Sequence, residues 1–380
     1  MALTDKLVAI AAAIREKAGT SEKLTLEEMP IAIAAIETGG GSGEIEIPEF
    51  SGDMSYCFAN GHWSWLFENY YDEISIGSIS KAQNMFQNAK VNKIPPMTQT
   101  SVANCSWAYA FDKSGAKEIG TIKYFSPSEM GNMFRDNYNL RELPEITNFE
   151  SSTLNGQTWN GAAAVFTSCY SLRNIDSNFL KKIHCKATSS SYCHICGAFT
   201  RCYSLDEIIG FSPITGVLTS NMFYYSASGT FDNCSRVKRI VFNKTSEGEP
   251  YTVEWKNQTI DLYKAVGWLA VNDSYITDYN SGITIDKKVV DGETYQALKN
   301  DPDWYTGNVY FSRYNHTSAV ETINSLPDAS AYLATQSGGT NTIKFRQDAG
   351  ELTDGGKVGN LTEEEIAVAT AKGWAVVYAV

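Results

Sequence analysis

The sequence predicts an α+β repeat fold, an irregular solenoid of short parallel strands that is preceded by a small pair of N-terminal helices. Phenylalanines recur between Phe86 and Phe231 at intervals of 25, 23, 32, 33 and 32 residues, with apolar residues at fixed offsets behind them. A glycine-rich stretch at residues 39–44 separates this repeat from an amphipathic N-terminal segment. We therefore expect a helical segment (1–38), a linker (39–44), a solenoid (45–245) and a divergent C-terminal repeat region (246–380).

Composition excludes several classes of protein. The chain has 380 residues, 43% of them hydrophobic and 12% aromatic, so it can bury a sizeable core. Its net charge of −12 repels polyphosphate, which argues against nucleic-acid binding. The apolar run at residues 7–14 is far shorter than the ~20 residues of a membrane span, and the charges that flank it argue against a signal peptide. We expect no membrane partner and synthesis in a cytoplasm.

The N-terminal segment has the pattern of two short helices. Thr4 can cap the first, which runs to about residue 18, and Thr25 forms a capping-box pattern with Glu28 at the start of the second. Helices this short are marginal in water without a packing partner. The pair therefore either self-associates or attaches the chain to something larger, or it is a small cap on the next domain.

The repeat has a fixed register. Four units carry leucine or valine six residues after the phenylalanine and leucine or isoleucine nine residues after it, and three of them carry cysteine at the third position. Their sequences are MFRDNYNLRELPEI, VFTSCYSLRNID, AFTRCYSLDEII and TFDNCSRVKRIVF, which contain Phe134, Phe166, Phe199 and Phe231. Looser units start at Phe86 and Phe111, and an earlier one is expected near Phe67. When units of this kind stack, phenylalanine packs on phenylalanine and leucine on leucine of the next unit. We expect the L-x-x-I segments of neighbouring units to pair as parallel strands.

A second duplication lies downstream. Residues 252–272 and 342–379 both contain a strand-like start, a helical stretch and a Gly-Trp pair, Gly267-Trp268 and Gly373-Trp374. Glycine suits the left-handed end of a helix, and the tryptophan then packs over a sheet edge. A further helix is expected near Ser318 to Leu326.

These motifs carry a family resemblance. The F-x-x-C-x-x-L-x-x-I pattern over residues 80–245 resembles BspA-type leucine-rich repeats. The N-terminal string LTDKLVAIAAAIREKAG and the C-terminal A-K-G-W ending resemble tail fibres, or receptor-binding proteins, of phages that infect Firmicutes. The resemblance implies a homotrimer in the virion, with the N-terminal helices contacting other tail proteins.

The sequence contains no recognisable catalytic, cofactor-binding or metal-binding motif. The one metal-like cluster is His184-Cys185 with Cys193-His194-x-Cys196, a Cys-x-x-Cys pair with nearby Cys and His that could hold zinc, although its spacing is not diagnostic of a zinc site. The repeat register explains Cys202, so buried thiols are the favoured interpretation, with zinc or a disulfide as alternatives. Acidic residues are plentiful, but no motif brings two of them together as glycoside hydrolysis requires. We expect no enzyme activity, no cofactor and no metal.

Two groups of aromatic residues are candidates for receptor binding. Tyrosine lies four residues after the phenylalanine in three units, giving Tyr138, Tyr170 and Tyr203. An exposed tyrosine ladder offers rigid, amphipathic contact area, whereas the alternative is a partly buried stack that stabilises the coils. The second group, which could equally form the N-terminal cap of the solenoid, is Trp63, Trp65, Tyr70 and Tyr71.

The sequence thus favours a binding protein, specifically a phage tail fibre or receptor-binding protein that contacts a bacterial surface glycan or protein. The first alternative is a bacterial surface adhesin of the same repeat family, which would need an export signal and an anchor. The second is a structural tail component that contacts other phage proteins. The third is a carbohydrate-active enzyme, which predicts a cleft with paired carboxylates.

Overall fold

A computed structural model describes residues 12, 50–99, 104–147, 152–155, 162–187, 195–211, 214–217, 224–225, 228–234, 236–242, 245–246, 249–250, 253–254, 258–262, 269–271, 274–278, 283–293, 295–296, 305–306, 309–310, 314–330, 340–346 and 358–379. The chain divides into two compact units, Met1–Pro48 and Glu49–Val380. The predicted N-terminal helices and linker lie outside the described residues, apart from Ala12, which is helical. All other described residues belong to the second unit.

Short strands dominate the described part of the chain. The strands are β1 (Phe50–Asp53), β2 (Ile74–Lys81), β3 (Lys93–Ile94), β4 (Met97–Gln99), β5 (Cys105–Ser106), β6 (Glu118–Ile119), β7 (Pro127–Glu129), β8 (Ser152–Asn155), β9 (Ile183–Ala187), β10 (Glu207–Phe211), β11 (Ile214–Val217), β12 (Tyr224–Tyr225), β13 (Ser228–Gly229), β14 (Arg239–Phe242), β15 (Thr245–Ser246), β16 (Glu249–Pro250), β17 (Val253–Glu254), β18 (Thr259–Asp261), β19 (Leu269–Val271), β20 (Tyr275–Asp278), β21 (Ile283–Asp286), β22 (Tyr305–Thr306), β23 (Val309–Tyr310), β24 (Asn341–Arg346) and β25 (Trp374–Ala379). The helices are α1 (Ser64–Tyr70), α2 (Ser177–Lys182), α3 (His316–Ser325) and α4 (Glu363–Ala371), with a 3₁₀ turn at Val358–Asn360.

A repeated turn surrounds each of seven phenylalanines, and its geometry is set by backbone torsion angles. The residue two positions after each phenylalanine has a positive φ, and so has the residue two positions before each of the first six. These residues, with φ from 52° to 65°, are Tyr56, Asn60, Asn84, Asn88, Tyr109, Lys113, Asn132, Asp136, Ala164, Ser168, Gly197, Arg201 and Asn233. Hydrogen bonds of the i to i+3 type close the turns, as in Met133 N–H to Met130 O and Arg135 N–H to Asn132 O.

The remaining amide groups of each turn join it to the next unit. In the unit of Phe134, the amides of Asn132, Phe134 and Asp136 donate to the next turn, to the carbonyls of Ala163, Val165 and Thr167, at 2.8–2.9 Å. The same alternation links Phe58 to Phe86 and continues to Phe231, at 2.7–3.2 Å. Because N–H groups bond alternately within a turn and to the next turn, the stacked turns satisfy their backbone without long strands.

The seven phenylalanine rings form a column inside this ladder. Successive ring centroids are 4.9–5.8 Å apart, and the interplanar angles are 5–21°. The column comprises Phe58, Phe86, Phe111, Phe134, Phe166, Phe199 and Phe231, each at most 2% exposed. Phe58 is therefore the first ring, and the expectation that the repeat begins near Phe67 was wrong. Phe67 lies on α1 and packs edge-on against Phe58 at 5.4 Å.

Parallel pairing aligns equivalent positions of neighbouring units. β10 pairs with β14 so that Ile208 faces Ile240, as the L-x-x-I register predicts. In the two preceding units, the equivalent pairing is a single parallel bridge between Glu142 and Asn174. A second row of parallel strands has the order β8-β9-β11-β17. The prediction of short parallel strands is confirmed, and within the described residues the unit is a mixed α/β structure with small parallel strand pairs and few helices.

Helix α3, which the sequence predicts near Ser318 to Leu326, covers the outer edge of β14. Hydroxyls at three positions of one helix face occupy this edge. Ser318 donates to Lys238 O, Thr322 donates to Ile240 O at 2.6 Å, and Ser325 accepts from Phe242 N–H at 3.0 Å. The helix thereby satisfies the backbone groups that another strand would have paired.

The C-terminal part contains two further sheets. In the first, β18, β24 and β25 are parallel, with Thr259 facing Thr342. Gly373 ends α4 with a φ of +80°, and the adjoining Trp374 is 1% exposed and donates to Pro327 O, as expected for a Gly-Trp pair. The equivalent pair at residues 267–268 lies outside the described residues. The second sheet, β21-β20-β19-β23-β22, is antiparallel and was not predicted.

Candidate functional site

The cysteines of the repeat are structural. Cys169, Cys202 and Cys234 are fully buried, and each Sγ donates to the carbonyl of the preceding unit's phenylalanine at 3.0–3.1 Å. Burial raises the pKa of all three thiols. The favoured interpretation as buried thiols is thus confirmed for these three, which we call the column cysteines.

The metal-like cluster is only partly described. His184 and Cys185 lie on β9, Cys196 is half-buried, and Cys193 and His194 lie outside the described residues. Within the described part of the chain, no group of three His, Cys, Asp or Glu side chains is placed to hold a metal ion. Likewise, no helix there is long and apolar enough to cross a membrane.

The three candidate tyrosines stack on one another. The ring centroids of Tyr138 and Tyr170 are 4.7 Å apart at 25°, and those of Tyr170 and Tyr203 are 5.3 Å apart at 39°. Exposure falls along the stack, from the half-buried Tyr138 to Tyr170 at 7% and Tyr203 at 1%. This matches the stabilising stack that the sequence analysis gave as the alternative, and Tyr138 is the most exposed member of the stack. Its role in binding stays a prediction.

Charged groups surround the phenol of Tyr138. Burial, with the nearby carboxylate of Asp136, raises its pKa to about 12. Three residues earlier, Arg135 forms a two-pronged ion pair with Asp112, with Nε to Oδ1 at 2.8 Å and Nη2 to Oδ2 at 3.0 Å. The Asp112 side chain is fully buried, and its guanidinium partner also lies over the Tyr109 ring at 5.3 Å. This network fixes the turns in place and presents mixed charge near Tyr138.

The second aromatic group covers the first ring of the column. Trp63 donates from Nε1 to Phe58 O at 2.7 Å and packs edge-on against the Phe58 ring at 5.7 Å. Tyr71 contacts Phe67 edge-on at 5.9 Å, and burial raises its pKa. These contacts suit the N-terminal cap interpretation. Trp65 is 37% exposed, and the side chain of Tyr70 lies outside the described residues.

A cleft of about 1060 Å³ lies elsewhere on the repeat region, and sequence reasoning missed it. Residues 117–121, 141–146, 174–176 and Phe179 line it, together with Glu293 from the region downstream of the repeat. We call this cavity the repeat cleft. Its volume is slightly above the usual range for small-molecule sites, about 300–1,000 Å³. The cleft thus gathers three units of the repeat and a segment from far along the chain.

The lining of the repeat cleft combines apolar groups with charges of both signs. Pro144, Ile175 and Phe179 contribute buried apolar surface. The two cations pair with the downstream segment, Arg141 with Glu293 at 3.2 Å and Lys117 with Asp291 at 3.8 Å. The exposed carboxylates of four repeat residues also line the cleft, namely Glu118, Glu142, Glu145 and Asp176.

One pair in the repeat cleft occupies equivalent repeat positions. Glu142 and Asn174 each lie eight residues after their phenylalanine and face each other across the parallel bridge. A carboxylate, which only accepts hydrogen bonds, therefore neighbours a carboxamide, which donates and accepts. The recurrence of polar residues at this offset is the one signal in the sequence that could have indicated the cleft. No sequence signal indicates that residue 293 contributes to it.

Comparison with known proteins identifies no relative, since no protein-family model, no curated protein and no solved structure matches this chain.

Proposed function

We propose that the chain is a phage tail fibre or receptor-binding protein that recognises a bacterial surface receptor through a solenoid of BspA-type leucine-rich repeats. The N-terminal helices attach it to other tail proteins, and it works in the virion as a homotrimer made in the host cytoplasm. Several copies then combine individually weak contacts into avid attachment.

The observation that carries this proposal is the stacked turns around the phenylalanine column. The backbone ladder and the buried rings hold the flanking residues of successive turns at a fixed spacing. Those residues include tyrosine, asparagine, lysine and arginine, so the frame accepts side chains of different chemistry. A rigid frame that presents variable side chains suits recognition of an extended surface partner.

The test is binding of fluorophore-labelled full-length protein to a panel of Gram-positive bacteria. Cells stripped of surface polysaccharide serve as the matched control. Strain-specific staining is expected, and its loss on stripping identifies a glycan receptor. An absence of staining across the panel refutes receptor binding and favours the structural tail component. The adhesin alternative is distinguished by immunogold labelling, which finds the protein on the wall of the producing cell rather than on phage particles.

The repeat cleft favours one second candidate, a carbohydrate-active enzyme. It brings Glu142, Glu145 and Asp176 to one cavity, which is the arrangement that this alternative predicts. All three carboxylates are exposed, whereas the acid of a glycosidase usually lies in a dry pocket. Incubation with oligosaccharides, followed by mass spectrometry, separates the candidates, because a binding protein returns the sugar intact and an enzyme returns fragments.

A further inference from the structure

We infer that the repeat cleft is a binding site for a neutral oligosaccharide. The assignment rests on the proposed function and deepens it, since it names the chemical class of the receptor and the surface that binds it. It depends on the lining of the cleft and does not require the tyrosine stack to bind anything.

The charges in the repeat cleft argue against an anionic ligand. The cations Lys117 and Arg141 are already engaged by the downstream segment, through Asp291 and Glu293. Glu142, Glu145 and Asp176 add negative charge, so an anionic polymer with phosphate, sulfate or carboxylate groups would be repelled. A basic peptide would not be repelled, but the hydrogen-bonding and apolar groups of the lining suit a neutral polyhydroxyl ligand better. A neutral polyhydroxyl ligand meets no like charge.

The polar groups match the hydrogen bonding of sugar hydroxyls. A hydroxyl donates once and accepts twice, so neighbouring hydroxyls need both acceptors and donors from the protein. Glu142 and Asn174 supply this combination side by side across the parallel bridge. Thr121 adds a hydroxyl that donates to Glu145 at 3.4 Å, a contact long enough to be exchanged for one with a ligand.

The apolar lining matches the other half of a sugar's surface. Pyranose rings present C–H groups on their faces, which pack against aliphatic and aromatic side chains. Ile175 and Phe179 line the repeat cleft, and Phe179 is held from behind, since its ring packs against Phe166 of the column at 6.0 Å. This apolar part of the lining is therefore held in place before the ligand binds, which reduces the entropy lost on binding.

The downstream segment closes one side of the repeat cleft. The segment forms the ion pairs of Asp291 and Glu293 described above, and the backbone N–H of Asp291 also donates to Asn139 Oδ1 at 2.8 Å. Val290 and Tyr295 on either side of it are buried. This anchoring makes the cleft a preformed site, shaped by residues about 150 positions apart in the sequence.

The test is isothermal titration calorimetry of full-length protein with defined sugars. The neutral probes are glucose-, mannose-, galactose- and N-acetylglucosamine-based oligosaccharides of four to seven units, and the comparison probes are hyaluronan fragments and decalysine. We expect saturable binding of at least one neutral probe, weakened about tenfold by Glu142→Ala or Asn174→Ala, because each removes one hydrogen-bonding group. Arg173→Ala is the matched control, since Arg173 is exposed and does not line the cleft. Circular dichroism checks that all variants stay folded.

Three outcomes overturn the inference: no neutral probe binds at 5 mM, neutral binding is unchanged in both cleft variants, or decalysine binds more tightly than any sugar. Cell staining separates this failure from that of the proposed function. Sugar binding without staining removes the receptor role and keeps the cleft assignment. Staining that persists in a Glu142→Ala, Asn174→Ala double variant removes the cleft assignment and keeps the receptor role.

Discussion

Replacing Phe166 with alanine tests whether the phenylalanine column holds the repeat region together. The ring is 0% exposed, and its centroid lies 5.7 Å from those of Phe134 and Phe199. Truncating a buried phenylalanine to alanine costs about 3–5 kcal/mol. The two stacked ring contacts, worth about 0.5–1.5 kcal/mol each, place this site in the upper part of that range. We therefore expect Phe166→Ala to lower the free energy of unfolding by at least about 4 kcal/mol, a large share of the roughly 5–15 kcal/mol of a typical protein.

The assay is urea denaturation followed by far-ultraviolet circular dichroism, with two control variants. Phe166→Leu keeps most of the apolar volume and loses only the ring contacts, so it should cost about 1–3 kcal/mol. Tyr56→Ala removes a side chain that is 58% exposed and should cost less than about 0.5 kcal/mol. A loss below about 1 kcal/mol in Phe166→Ala would refute the reasoning, because the column would then contribute little to stability.

The contacts of the repeat region support three further predictions. Arg135→Ala leaves the buried Asp112 carboxylate without its ion-pair partner and should lower the free energy of unfolding by about 3 kcal/mol, measured by urea denaturation. Ser325→Ala removes the acceptor of Phe242 N–H, so that amide should exchange with deuterium faster, by hydrogen-exchange mass spectrometry. Burial raises the pKa of the column cysteines in the folded state. As the pH rises, the exposed thiols of the unfolded state therefore deprotonate before those of the folded state. Stability should therefore be unaffected below about pH 8.5 and fall above it, by about 1.4 kcal/mol per thiol at pH 9.5.

Each prediction has a control and a contradicting result. Lys93→Ala breaks an exposed ion pair with Glu118 and should cost under about 1 kcal/mol; an equal cost for Arg135→Ala would contradict the buried network. Thr317→Ala changes an exposed residue of the same helix, and Phe242 exchange should not respond to it. Cys202→Ala removes one of the three thiols and should reduce the loss of stability above pH 8.5 by about a third, and an unchanged slope would contradict the assignment.

Side-chain periodicity revealed the columns, because each buried position must be apolar in every unit. Leu140, Leu172 and Ile208 are buried as their offsets require, and Leu143 of the first register-sharing unit is half-buried, where Pro144 comes next in the chain. The positive-φ positions were invisible in the sequence, since residues as different as asparagine, alanine and tyrosine adopt this conformation. Stacking and the inter-turn hydrogen bonds stabilise that conformation, so it does not require glycine.

Long-range contacts account for the rest of what the sequence did not show. The three hydroxyls of α3 are spaced to lie on one helix face, but the sequence does not name the strand that they cover. The repeat cleft depends on residue 293 meeting Arg141, a contact between regions that share no pattern. The tyrosine stack was visible, yet its decreasing exposure depends on packing between units and not on residue type.

Saturation binding to whole cells tests the central claim, recognition of a bacterial surface, most directly. Labelled full-length protein is titrated onto a panel of Gram-positive strains by flow cytometry, with and without excess unlabelled protein. We predict saturable staining of some strains and not others, which the unlabelled protein abolishes. Staining that is absent from every strain, or that is equal on all strains and resists competition, would contradict the claim.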